Sequence, residues 1–248
     1  DLVSGGSGPG TANVYLWERT SGLLILLSES IAAANQRGNG SSYQPVISED
    51  GAQVVFYSYA TDLLAGGTGP GNANVYVYEL SSGLITLVSQ SIGALGQRGD
   101  GESYLAQISD DGAFVTFFSR ASDLVSGGSG PAFGDAYVWS RASGSVALVS
   151  DSISAAGRRG NGETQAPVIS GDGAFVAFMS LANDLVNSDN SLMDVFLGEV
   201  ATGTLVAASR RDAGIPWVPW TGNSPSQLVD SRSRSISSDG AYVAFYSM

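Results

Sequence analysis

The 248-residue chain has no histidine, no cysteine and no lysine; its 11 basic residues are all arginine, set against 23 carboxylates for a net charge of −12. That removes histidine general bases, cysteine nucleophiles, lysine Schiff bases, disulfides and zinc sites built on His or Cys. Clustered cations for nucleic acid or anionic lipid are lacking, and no apolar run approaches the roughly 20 residues of a membrane helix.

The chain opens at Asp1, without an initiator Met, which means either a removed leader or an excerpt. A glycine-rich stretch, DLVSGGSGPG, precedes two apolar runs, ANVYLWE and LLILLSE. One complete unit follows, with short Val-, Ile-, Tyr- and Phe-rich runs over residues 44–48, 53–58, 74–80 and 84–89. Their composition reads as strands, and the connections SEDG and SSG are tight hairpin chemistry, with glycine supplying positive φ. The same unit recurs: Asp50-Gly51, Asp111-Gly112 and Asp172-Gly173 are 61 residues apart, and Asp239-Gly240 follows after 67. Asp1, Asp62, Asp123 and Asp184 open the glycine loops at the same period of 61. The chain ends on the first two strands of a unit, SRSIS and AYVAFYS.

Four units of four short strands predict an all-β protein, a β-propeller of four-stranded antiparallel blades forming one domain over residues 1–248, with phases starting at 1, 62, 123 and 184. The expected ring has four blades, closed by pairing the C-terminal strands with the N-terminal ones; four units of a larger ring is the alternative. The pattern VISEDGAQVVFYSYATDLLAGG…NANVYVYELSSGLITLVSQS resembles the TolB-like propeller repeat, in particular its long-repeat secreted bacterial branch. The resemblance covers all four units. It implies the fold, and functions that range over peptide binding, scaffolding and service as an appendage to enzymes.

Strand direction puts the short turns on one face and the long loops and interblade links on the other, so a site is expected on the long-loop face. Arg37, Arg98 and Arg159 sit 61 apart in the links and could together grip an anion; pairing with a neighbouring blade's carboxylate is the plainer expectation. The adhesion-like tripeptide Arg98-Gly99-Asp100 belongs to the same repeat. Only the fourth glycine loop is acidic, with Asp184, Asp189, Asn190 and Asp194. Related repeats carry an acidic loop suited to calcium; the alternative is that these side chains satisfy backbone groups in a turn. No cofactor is required, and calcium is the one such a loop could take. The fourth link carries six extra residues, with Trp217, Trp220 and Arg211, a composition suited to an interaction hot spot, a sugar-stacking platform or a plug for the ring mouth.

The adjacent carboxylates Glu49-Asp50 and Asp110-Asp111 fall in hairpin turns, and no serine has a His or Lys to activate it, so catalysis is not expected. The leading expectation is a non-catalytic module, secreted, periplasmic or on a bacterial cell surface, that binds a protein or glycan through the long-loop face. A structural subunit of a larger complex, with no ligand of its own, is the alternative.

Overall fold

The computed structural model describes residues 2, 7–8, 10–128, 133–187, 192–209, 226–228 and 235–247, and the regular structure among them is entirely β. Sixteen strands follow one another: β1 (Tyr15–Trp17), β2 (Leu24–Leu26), β3 (Ser42–Ile47), β4 (Gln53–Ser58), β5 (Asn74–Glu79), β6 (Leu84–Leu87), β7 (Ser103–Ile108), β8 (Phe114–Ser119), β9 (Asp135–Ser140), β10 (Val146–Leu148), β11 (Thr164–Ile169), β12 (Phe175–Ser180), β13 (Asp194–Glu199), β14 (Leu205–Ala207), β15 (Ser226–Leu228) and β16 (Phe245–Ser247). Three complete antiparallel blades, β3–β6, β7–β10 and β11–β14, are flanked by the two-stranded sheets β1–β2 and β15–β16. This is the blade architecture of a β-propeller.

Each blade buries its second and third strands on both faces, so these read as nearly continuous apolar runs. Phe56, Phe117 and Phe178 stack on Tyr76, Tyr137 and Phe196 at centroid separations of 5.9, 5.6 and 5.6 Å. Successive blades pack face to face: Val55 and Val75 join Val115 and Phe117 in one cluster, and Val138 joins Val176 and Phe178 in the next.

At one end, the four hairpin turns of the Ser-x-Asp-Gly sequence meet around a common axis. In each, the aspartate accepts hydrogen bonds from its own serine and from the amide two residues on, as Asp50 does from Ser48 and Ala52 and Asp239 from Ser237 and Ala241. The residue before each aspartate faces the neighbouring turns. The amides of Glu49 and Asp110 donate to the carbonyls of Asp110 and Gly171, at 3.1 and 2.8 Å, and that of Asp172 donates to Ser238 at 2.8 Å. Ser238 Oγ then reaches Asp110 Oδ2 at 2.7 Å, joining the second and fourth repeats. A Cβ on Gly171 would lie 1.9 Å from Ser238 Oγ and 2.1 Å from Asp110 Oδ2, which is why that position alone has no side chain. The turns therefore form a floor at the short-turn end.

One expectation differs. Pairing of β16 with β1 is not among the described strand pairings; each terminal pair forms its own sheet. Burial follows: Phe245 is 37% exposed where Phe56, Phe117 and Phe178 are fully buried, and Trp17 is 60% exposed where Trp139 is 4%. Each half-blade is instead held by the face of its neighbour. Val14 and Leu27 pack with Val54 and Phe56, whereas Leu228 and Ile236 pack with Val168 and Val195. Joining the chain's two ends is the most non-local pairing in the molecule, and face-to-face burial anchors both halves without it.

Candidate functional site

Of the link arginines, Arg98 and Arg159 lie inside the structure and Arg37 is half-buried. Arg98 is buried, and its guanidinium donates to the carbonyls of Thr61, Gly69 and Pro70 at 3.3, 3.0 and 3.1 Å. Arg37 donates to Gly8 O at 2.9 Å. Arg159 is buried with its Nε 3.8 Å from Asp135 Oδ2. The partners of Arg37 and Arg98 named here are backbone carbonyls in or just before a glycine loop, whereas Arg159 lies beside the carboxylate that opens β9. The physical reason is the loop: Gly-Pro sequences present bare carbonyls that need a donor, and the arginine fork supplies several. Asp100 is also engaged, accepting from Ser122 N and Oγ at 2.6 and 2.5 Å, so the tripeptide is not displayed as a free motif.

The ring of aspartates is structural as well. Asp62, Asp123 and Asp184 accept the amides of Asn39, Asp100 and Asn161 at 2.9, 3.0 and 2.9 Å, fastening each link to the loop beside it. Asp184 Oδ2 also accepts from Ser152 Oγ at 2.8 Å. Asp194 Oδ1 accepts from Ser209 Oγ at 2.6 Å, repeating the contacts of Asn13, Asn74 and Asp135 with Ser28, Ser89 and Ser150. Asp189, Asn190, Arg211, Trp217 and Trp220 lie outside the described residues.

At the end opposite the floor, the first strands begin and the second strands end, and here side chains gather that the sequence pattern did not single out. In β3, β7 and β11 the register shifts by one residue, and Gln44, Leu105 and Ala166 take φ of 50, 53 and 50°. A left-handed, side-chain-bearing residue costs about 1 kcal/mol or more, so three at equivalent bulges are a built feature. The bulge reverses the strand's alternation. Tyr43 thereby comes to the same face as Val46, three residues on, opposite Tyr57 of β4.

The result is an aromatic ledge across the first two blades. Tyr57 is its centre, with Tyr43, Tyr59 and Tyr104 at centroid distances of 5.6, 6.1 and 6.2 Å; Tyr104 continues to Phe118 at 4.9 Å. Tyr43 and Tyr59 are 40% and 39% exposed, and the Glu102 carboxylate acts on Tyr59 and Tyr104. Burial, then Glu102 and the phenols of Tyr43 and Tyr104, push the Tyr59 hydroxyl above the usual phenol range. The third blade has no such surface: Gln165, Met179 and Leu181 hold the places of Tyr104, Phe118 and Arg120. That substitution at fixed repeat positions was the signal available in the sequence.

The repeat pattern and the blades together make the chain a β-propeller. No family model and no curated protein matches the sequence. Among solved structures, the chain is similar to TolB from Acinetobacter baumannii (18% identity, 79% of this chain and 37% of that one, TM-score 0.41). It is similar also to a putative TolB from Agrobacterium tumefaciens (18%, 80% and 56%, 0.44) and to an oligogalacturonate lyase from Vibrio parahaemolyticus (12%, 79% and 46%, 0.37). The chain spans less than two-thirds of the length of each of these structures.

Proposed function

We propose that the chain is a non-catalytic, extracytoplasmic binding module that holds a protein or glycan ligand at the end of its ring opposite the hairpin floor. The observation that carries this reading is the exposed tyrosine ledge, set on the strained bulges at Gln44 and Leu105 at that end. Aromatic rings with neighbouring carboxylates give large contact area at low conformational cost and accept hydrogen bonds from the rim. The reading involves no metal, since Asp184 and Asp194 already serve contacts that recur in every described blade. Nor does it involve an acid–base pair: among the described residues the carboxylate pushed furthest upward, Asp135, is fully buried.

Screening the labelled chain on glycan and peptide arrays tests the proposal. Binding to the ligands it selects should fall at least about ten-fold in Tyr59→Ala and Tyr43→Ala, with melting temperatures unchanged to within a few degrees. Ligands that bind both variants as well as the parent, and lose affinity only in Trp217→Ala and Trp220→Ala, would move the site off the ledge.

A further inference from the structure

The repeat places the same chemistry at two successive blade interfaces, with one exchange. Between the second and third blades, Arg120 lies over the Phe118 ring, 5.7 Å from its centroid, and its Nη2 donates to Glu163 Oε1 at 3.2 Å. An aromatic face, a guanidinium and a carboxylate form a closed set. Between the first and second blades, the residues one period earlier are Tyr57 for Phe118, Glu102 for Glu163 and Tyr59 for Arg120. The ring and the carboxylate are kept, and the guanidinium is replaced by a third aromatic. Among the described residues, Glu102 holds no ion pair with an arginine.

We propose that this interface takes its guanidinium from a partner, binding an arginine side chain of a protein ligand between Tyr57, Tyr59 and Tyr104 with Glu102 as its counter-charge. The inference rests on the ledge being a ligand site. Charge favours a cationic occupant: the chain carries −12 overall and has no lysine, and Arg120, which borders the ledge at Phe118, is already paired with Glu163. Ring geometry favours it as well. Tyr59 stands edge-on to Tyr57 at 76° and Tyr104 is tilted by 56°, so the rings do not stack on one another. A planar cation needs only one ring face, with Glu102 acting on both Tyr59 and Tyr104.

The test is a titration of the full chain at physiological salt with N-acetyl-L-arginine amide, its neutral isostere N-acetyl-L-citrulline amide, and cellobiose, read on the ring signals of labelled tyrosines. Arginine amide should shift Tyr57, Tyr59 and Tyr104 and bind about ten-fold more tightly than citrulline amide. Glu102→Gln should remove most of that difference. Tyr59→Arg, which copies the arrangement the chain already holds one repeat on, should fold with an unchanged melting temperature and lose arginine-amide binding. Equal binding of the two amides, full binding by Tyr59→Arg, or no ledge response to arginine amide would each overturn the inference. Ledge shifts caused by cellobiose or citrulline amide alone would overturn the guanidinium preference while leaving the ledge a binding site.

Discussion

Replacing Asp135 with asparagine should stabilise the protein at neutral pH, the reverse of what losing a buried hydrogen-bonded carboxylate usually does. Asp135 opens β9 without solvent contact; one oxygen accepts from Ser150 Oγ at 2.8 Å and the other lies 3.8 Å from Arg159 Nε. Burial outweighs both interactions and pushes its carboxyl from 3.8 up to about 7. The folded state therefore keeps a proton that the unfolded chain has released. Stability falls as pH climbs from about 4 to about 7 and is level, with respect to this group, above that. Asparagine already serves this position in the first two repeats: Asn13 and Asn74 accept from Ser28 and Ser89, and their amides donate to the carbonyls of Thr11 and Asn72 at 2.7 and 2.8 Å. Asp135→Asn can make the same pair of bonds, with Phe133 O as its acceptor. The expected gain at pH 8 is on the order of 1–3 kcal/mol, with no gain at pH 4. Urea unfolding of both proteins at the two pH values checks it; a difference that does not grow with pH contradicts it.

Arg98→Ala should be the most damaging of the arginine substitutions. Its buried guanidinium serves two carbonyls of one glycine loop, Gly69 and Pro70, and that of Thr61 just before it, so truncation removes three charge-assisted hydrogen bonds at once. Losing them together predicts a loss of about 3 kcal/mol. Arg120→Ala removes an exposed pair with Glu163 and should cost no more than about 1 kcal/mol. Comparable losses in the two variants, measured by urea unfolding, would contradict the structural role of the link arginines.

The period, the blades and the positions of the short turns were legible because each follows from local chemistry repeated at fixed spacing. The expected runs at 53–58, 74–80 and 84–89 correspond to Gln53–Ser58, Asn74–Glu79 and Leu84–Leu87. The first strand was placed two residues late, at 44–48 against Ser42–Ile47, because alternation breaks at Gln44. A non-glycine residue in the left-handed region leaves no mark in composition, so the bulge and the tyrosine it re-aims stayed hidden. The arginines were recognised as a set, but the carbonyl partners of Arg37 and Arg98 were not foreseen. Carbonyl acceptors belong to the backbone and have no residue type to signal them, whereas a carboxylate such as Asp135 beside Arg159 is visible. The ledge was missed for a related reason: Tyr57 reads as an ordinary strand aromatic, Tyr43 and Tyr104 fall at the ends of the links, and only comparing one repeat position at a time exposes the exchange of Tyr59 for Arg120.

Everything said of the ledge depends on four repeats surrounding one axis, with their hairpin turns meeting at one end. The chain's lack of cysteine allows a direct measurement. Asp110 and Ser238 are 128 residues apart and meet only at the floor, so a paired Asp110→Cys, Ser238→Cys variant should be joined within one chain, either by oxidation or by a short bis-maleimide. The account predicts a monomeric species of increased mobility on non-reducing gels, with a raised melting temperature once the loop is closed. A variant that stays fully reduced, or links only between chains, would contradict the ring.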